Sequence, residues 1–384
     1  MTGHDQAGAT SALTLPRRPA PTRPGTPPAR RLPAFSTAAL ILAVLAAYPL
    51  VFTGSAAHNI GILALTFGIA ATGWNLLGGY TGQISFGHAL YFGTGAYTTA
   101  LLVRQGWSPW LAIALSLPLA ALLAAAVGWP CFRLRHHYYS IATIAVAEIV
   151  FILVTNLPGL GQANGWELPV VEPSLANLQF SLLDKRPYYY VALGFFGLAA
   201  LAVWAFLRGR AGNYVRAIRD DQEAAAAVGI DVHRYKLAAA ALSGAITALA
   251  GGYYVMYVLF VDPPSGLGLD LSVSFTLMAV LGGVGRFWGP LLGAWVLVFV
   301  QDATRQEFSG SGRSIDLLLY GALIVLISIT EPGGLLAIGQ RLWAPVARRL
   351  GRGRPAEDGS GPPGATAGPR DDAPGPAGSA EVER

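Results

Sequence analysis

The chain has 384 residues, of which 53% are hydrophobic and 12% charged, and its mean hydropathy is +0.47. Its 26 basic and 21 acidic residues leave a formal charge of +5, yet the 72 residues from Leu32 to Val103 hold no Asp, Glu, Lys or Arg. A soluble fold needs polar groups over its surface, so this pattern excludes one, and the net charge reports loop placement beside a bilayer, not a nucleic-acid footprint.

In chain order, residues 1–35 come first, with seven prolines and five arginines. They cannot bury enough apolar surface to offset ordering entropy and read as a disordered tail. Stretches of about 18 or more apolar residues then recur, each long enough to cross a membrane. The expected spans are 36–53, 59–78, 83–103, 109–127, 138–157, 188–207, 237–260, 268–284, 287–303 and 315–331. The first exceeds an ordinary signal-peptide core. Residues 336–384 form a basic and then Gly/Pro-rich tail. The expected fold is therefore an all-α polytopic membrane helix bundle of about 10 spans, with a transmembrane domain over 36–335.

Arginine and lysine placement orients it. With both termini in the cytoplasm, 21 of the 26 basic residues fall on the inner side, and only Arg104, Lys185, Arg186, Arg305 and Arg313 fall outside. The positive-inside rule favours this arrangement. It also predicts two helices over 268–303, turning at Gly282-Gly283-Val284-Gly285 beside Arg286, because one long helix would leave the arginine-rich C-terminus outside.

Catalytic constellations are absent from the sequence. The single cysteine, Cys131, excludes a disulfide framework and a multi-cysteine metal site. Neither Lys185 nor Lys236 follows a glycine, so there is no phosphate loop, and neither HExxH nor GxSxG occurs.

The one strongly charged loop, 208–236, lies on the inner side. Asp220 is placed to cap a short helix, with Glu223 three residues on in capping-box spacing. Glu223-Ala224-Ala225-Ala226-Ala227 is strong helix material. Gly229 is a natural terminator and Asp231 can cap the next helix. Such an element either docks in a groove on a partner or merely turns the chain.

Two glycine-rich regions interrupt the spans, one around Gly78–Gly95 and one around Gly282–Gly293. The first holds Gln83, Ser85, His88 and Tyr97. At membrane depth these face the bundle interior or a cavity, as packing residues or as parts of a permeation path. Glu148 lies near the middle of an apolar span. A carboxylate there is costly and should face protein or water, either bonding a neighbouring helix or lining the path.

Four segments carry a family resemblance. The run from Glu223-Ala224-Ala225 to Gly229 resembles the EAA loop of ABC-importer permeases. "GYTGQISFGHALYFGTGAYTTALL" (Gly79–Leu102), "YYSIATIAVAEIV" (Tyr138–Val150) and "LMAVLGGVGRFWGPLLGA" (Leu277–Ala294) are similar to signatures of LivM-type permeases of branched-chain amino acid importers. The chain departs from that pattern at Phe151, where an arginine is usual. The resemblance implies a transport subunit without catalytic or cofactor residues, in a bacterial inner membrane. Its partners would be a second homologous permease, two cytoplasmic ATPases, an extracytoplasmic binding protein and membrane lipid. ATPase coupling would run through Asp220, Asp221, Glu223, Ala224, Ala225 and Gly229. A urea or short-amide permease is the alternative within the class, and a self-contained secondary transporter the alternative outside it.

Overall fold

A computed structural model describes residues 35–134, 137–181, 184–307 and Leu335. The expected span at 315–331 and almost all of both expected tails lie outside the described residues.

The helices follow the apolar segments closely. They are α1 (Phe35–Val51), α2 (Ser55–Trp74), α3 (His88–Arg104), α4 (Pro109–Cys131), α5 (His137–Asn156), α6 (Arg186–Arg208), α7 (Arg210–Asp220), α8 (Gln222–Ala227), α9 (Val232–Val258), α10 (Pro263–Leu267), α11 (Leu269–Gly282) and α12 (Gly289–Glu307). Among the described residues six helical segments are long and apolar enough to cross a membrane, and α1 and α12 contribute shorter apolar stretches. The expected span at 83–103 is helical only from His88 onward. The expected pair over 268–303 is present, α11 ending at Gly282 and α12 starting at Gly289.

Helix ends are set by local chemistry. Proline at the first turn of α4 and α6 starts each of them, where the missing N–H has no intrahelical partner to lose. Leu259 in the left-handed region ends α9. The chain then forms a two-residue strand β2 (Phe260–Val261), antiparallel to β1 (Trp166–Glu167). This small sheet, stacked under Arg104 with its guanidinium 4.6 Å from the Trp166 ring, and an isolated antiparallel bridge between Ser174 and Gln179 are the β structure among the described residues.

α9 runs through the middle of the bundle against α2, α3 and α4. Without a hydrophobic force between helices in lipid, close packing must hold them together, and small residues permit it. A Cβ on Gly95 would meet the Ala248 carbonyl, and one on Gly251 the Phe92 carbonyl. Trp74, Phe92, Tyr253 and Phe275 fill the remaining core.

At its C-terminal end α2 widens into a π-helical turn, Asn75–Tyr80, all of it buried. Such turns are rare and frequent at functional sites. From there residues 81–87 run without helix into α3. The π turn, the 81–87 segment and the α7–α8 region gather at one end of the bundle. The β1–β2 sheet and α10 mark the other.

Candidate functional site

The charged loop is more ordered than its sequence suggests. It opens with α7, an amphipathic helix burying Gly212, Val215 and Ile218 against the bundle. That spacing of three is a helical signal present in the sequence. Because α7 runs through Asp220, the cap of the next helix falls to Asp221. Its carboxylate accepts from the backbone N–H groups of Glu223 and Ala224, at 2.9 and 3.0 Å. Asp220 is thus the last residue of α7 and not the expected cap. Glu223 stands two residues after the true cap, so the three-residue spacing of a capping box is not met.

The other end of α8 is as expected. Gly229 has φ +85°. Its N–H bonds the Ala226 carbonyl, and the Ile230 N–H bonds the Ala225 carbonyl. This is the paired arrangement that closes a helix through a left-handed residue. Asp231 then caps α9 by accepting from the Arg234 N–H at 3.0 Å. Ala225 is buried, while Glu223, Ala224 and Val228 are exposed, Val228 by 77%. α8 is therefore a short, doubly capped knob whose outer surface joins the polar Gln222 and Glu223 at its start to small apolar side chains at its end.

Two contacts tie this knob region to the bundle. Lys236 Nζ, at the base of α9, donates to Gln222 Oε1 at 2.7 Å. Arg219 Nη1, at the end of α7, donates to the carbonyl of Gly79 inside the π turn. One step further on, the Asn75 side chain joins the two glycine-rich regions. Its Nδ2 donates to the Arg286 carbonyl at 3.0 Å, and its Oδ1 accepts from the Gly285 N–H at 2.7 Å. A Cβ on Gly79 would meet both the Asn75 amide and the Gly285 nitrogen, which is why glycine stands there. The arrangement can transmit a displacement of α7 to the α2 terminus and from there to the α11–α12 turn. Neither Asn75 nor Arg219 is among the residues singled out from sequence. Their partners lie 211 and 140 residues away, so no local pattern could reveal them.

The five candidate path residues do not converge on one site. Ser85 and His88, three residues apart, are both buried, with Ser85 held by Trp74 Nε1 donating to its carbonyl at 2.7 Å. The Ser243 hydroxyl donates to the Gly73 carbonyl at 2.6 Å. His88 Nε2, 2.9 Å from Ser243 Oγ, must therefore be the donor of that pair. His88 is fully buried and acts here as a clasp between α3, α9 and α2. Gln83 is half-buried in the non-helical segment, its N–H bonded to the Leu77 carbonyl. Tyr97 lies at the opposite end of the bundle, 6.2 Å from the Trp166 ring. Glu148 is exposed on the outward face of α5, and Thr155, one helical face on, bonds its own helix at Phe151.

The end of the bundle near α10 holds a cavity of about 200 Å³ between α2, α10, α11 and α12. Asn59, Asp270, Gln301 and Asp302 line it above an apolar floor that includes Phe67 and Phe275. Among the described residues no group of His, Cys, Asp and Glu has the arrangement of a metal site.

Comparison with known proteins gives one consistent answer. Residues 56–328 match the family model described as "Branched-chain amino acid transport system / permease component". The chain is 30% identical over 331 residues to the "High-affinity branched-chain amino acid transport system permease protein LivM" of Escherichia coli strain K12, covering 79% of this chain and 74% of that one. It is 26% identical over 294 residues to the corresponding LivH protein of the same organism, covering 71% and 92%. A "Probable branched-chain amino acid transport permease protein LivM" of Methanocaldococcus jannaschii is 25% identical over 76% of this chain and 97% of that protein. No solved structure matches the chain.

Proposed function

This chain belongs to the family of branched-chain amino acid transport permeases, and we propose that it is the LivM-like membrane subunit of a bacterial ABC importer that carries branched-chain amino acids. It is a multi-pass transport subunit, not the source of the energy. Two cytoplasmic ATPases would supply that energy, a second, LivH-like permease would complete the membrane assembly, and an extracytoplasmic binding protein would deliver the substrate. The α7–α8 end of the bundle would face the cytoplasm, in line with the 21 basic residues assigned to that side.

The observation that carries the coupling role is the construction of α8. A six-residue helix is too short to persist alone. Here both ends are capped, its buried Ala225 seats it, and its exposed surface carries Glu223 beside small alanines. Such a knob fits a groove on an ATPase. Closure of two ATPases would then push α8 and α7, and Arg219 would pass the displacement to the π turn of α2.

The test is reconstitution of the chain with its second permease and the two ATPases in vesicles. ATP-driven accumulation of labelled leucine, dependent on the binding protein, is the expected result. Vesicles that accumulate leucine without ATP would overturn the importer reading, and ATP-driven transport of urea but not leucine would overturn the substrate.

A further inference from the structure

The cavity at the α10 end of the bundle changes character with depth. Three helices carry it inward: α2 from Asn59 to Phe67, α11 from Asp270 to Phe275, and α12, running the other way, from Gln301 to Leu297. At about 1.5 Å of rise per residue, Phe67 lies about 12 Å beyond Asn59, Phe275 about 7.5 Å beyond Asp270 and Leu297 about 6 Å beyond Gln301. Each helix thus presents a polar side chain at the mouth and an apolar one further in. Ring packing fixes the floor, the Phe67 centroid standing 6.1 Å from Phe275 and 5.9 Å from Tyr254.

The polar groups of the lining are not taken up within the protein. The Tyr257 hydroxyl donates to Asn59 Oδ1, which leaves the Nδ2 donors of that amide for the cavity. Among the described residues, the Asp270 carboxylate, the Ser274 hydroxyl and the Gln301 amide have no hydrogen-bond partner, and no lysine or arginine lines the cavity. An apolar cover would leave these groups unpaired, at a cost that hydrocarbon cannot offset. Water would satisfy them but gains nothing from the apolar floor. The lining fits one small molecule with a cation for Asp270, an acceptor for the amide N–H groups of Asn59 and Gln301, and an aliphatic end for the floor. At about 30 Å³ for each water-sized group, the cavity of about 200 Å³ holds roughly seven, the size class of a single amino acid.

We infer that this cavity, walled by one chain, binds a zwitterionic amino acid with an aliphatic side chain. The ammonium group pairs with Asp270, the carboxylate accepts from the Asn59 and Gln301 amides and the Ser274 hydroxyl, and the side chain lies over Phe67 and Phe275. The inference rests on the importer reading above, which brings such a molecule to this end of the bundle. An acidic amino acid is disfavoured, because its second carboxylate meets no cation and is repelled by Asp270.

The test uses the complete transporter in lipid nanodiscs, without ATP or binding protein. Saturable binding of labelled leucine is expected. Leucine and isoleucine should displace the label, whereas glutamate should not. Isocaproate and isopentylamine, leucine without its ammonium and without its carboxylate, should compete poorly. Asp270→Asn, nearly unchanged in shape, should weaken binding roughly tenfold or more. Glu167→Gln removes a carboxylate at the same end of the bundle and should leave binding unchanged. Absence of saturable binding, binding untouched by Asp270→Asn, or isocaproate competing as well as leucine would overturn the inference. A second readout is independent of any effect of Asp270→Asn on folding. In a Cys131→Ala background, Ser274→Cys should react with a small methanethiosulfonate, and leucine should slow that reaction saturably. A cysteine there that does not react, or that leucine does not protect, would equally overturn the site. ATP-driven leucine uptake by the unsubstituted transporter, with binding protein present, separates the two levels. Uptake with an unprotected Ser274→Cys sinks this inference and leaves the importer standing, whereas protection by leucine without ATP-driven uptake sinks the importer and leaves the site.

Discussion

Arg219 on α7 donates to the carbonyl of Gly79, 140 residues earlier, in the π turn that ends α2. It is a charged donor on a backbone acceptor, linking the outer charged region to a buried segment. Hydrogen bonds to charged groups contribute about 1.5–3 kcal/mol. If this bond carries force from α8 to the bundle, Arg219→Ala should insert and fold normally but lose roughly tenfold or more in substrate-stimulated ATP hydrolysis. Arg219→Lys keeps one donor without the planar fork and should retain an intermediate rate. Unaltered coupling in Arg219→Ala, measured beside normal assembly, would remove Arg219 from the transmission route.

Asn75 should behave differently, because its role is to hold the bundle's own backbone. Asn75→Leu leaves the Gly285 N–H without its partner, at about 1–3 kcal/mol for a buried donor left unmade, and takes one of two donors from the Arg286 carbonyl, which keeps the Gly289 N–H at 3.4 Å. Thermal unfolding of the purified permease should move down by several degrees, and protease should cut near residues 283–286 more readily. Asn75→Asp keeps the acceptor for Gly285 but loses the donor to Arg286, so it should fall between. Gly79→Ala should resemble Asn75→Leu, since its methyl would displace the same amide.

The contrast between these sites explains what could be learned from the sequence. Helix positions were legible because apolar length is a local property, as α4 and α6 illustrate. The end of α8 was legible because Gly229 follows an alanine run and Asp231 precedes the next helix. Its start was displaced by one residue because adjacent carboxylates, Asp220 and Asp221, can each cap. The decision between them belongs to α7, which is anchored by the buried Gly212, Val215 and Ile218 and stays helical to Asp220. Asn75 was illegible, since its partners lie in a turn more than 200 residues on. The direction of Glu148 was illegible too, because it depends on which face of α5 the rest of the bundle covers.

Orientation gives an independent prediction. Gln105 and Gln222 are both exposed, at opposite ends of the bundle. In a Cys131→Ala background, Gln105→Cys should be modified by a membrane-impermeant maleimide added to intact cells. Gln222→Cys should react only after permeabilisation. The reverse pattern would invert the bundle and leave α8 facing away from any cytoplasmic ATPase.

The two ends of α8 provide the sharpest test of coupling. At its start, Asp221→Ala removes the cap that serves Glu223 and Ala224, a loss of about 0.5–2 kcal/mol. Asp220→Ala removes a carboxylate that does not cap and should be nearly neutral. Had the cap been Asp220, these two results would exchange. At its end, Gly229 holds φ +85° with open space around its Cα, so any penalty there comes from backbone conformation and not from a clash. A β-branched residue in that region is strained, whereas asparagine tolerates it. Gly229→Val should therefore impair coupling severely, Gly229→Ala less, and Gly229→Asn least, with all three inserted in the membrane at normal levels. The measurements are co-purification of the ATPases with the permease and ATP hydrolysis stimulated by loaded binding protein. If Gly229→Val retains both at the unsubstituted level while Asp221→Ala does too, α8 is a connector between α7 and α9, and the ATPases contact some other part of the chain.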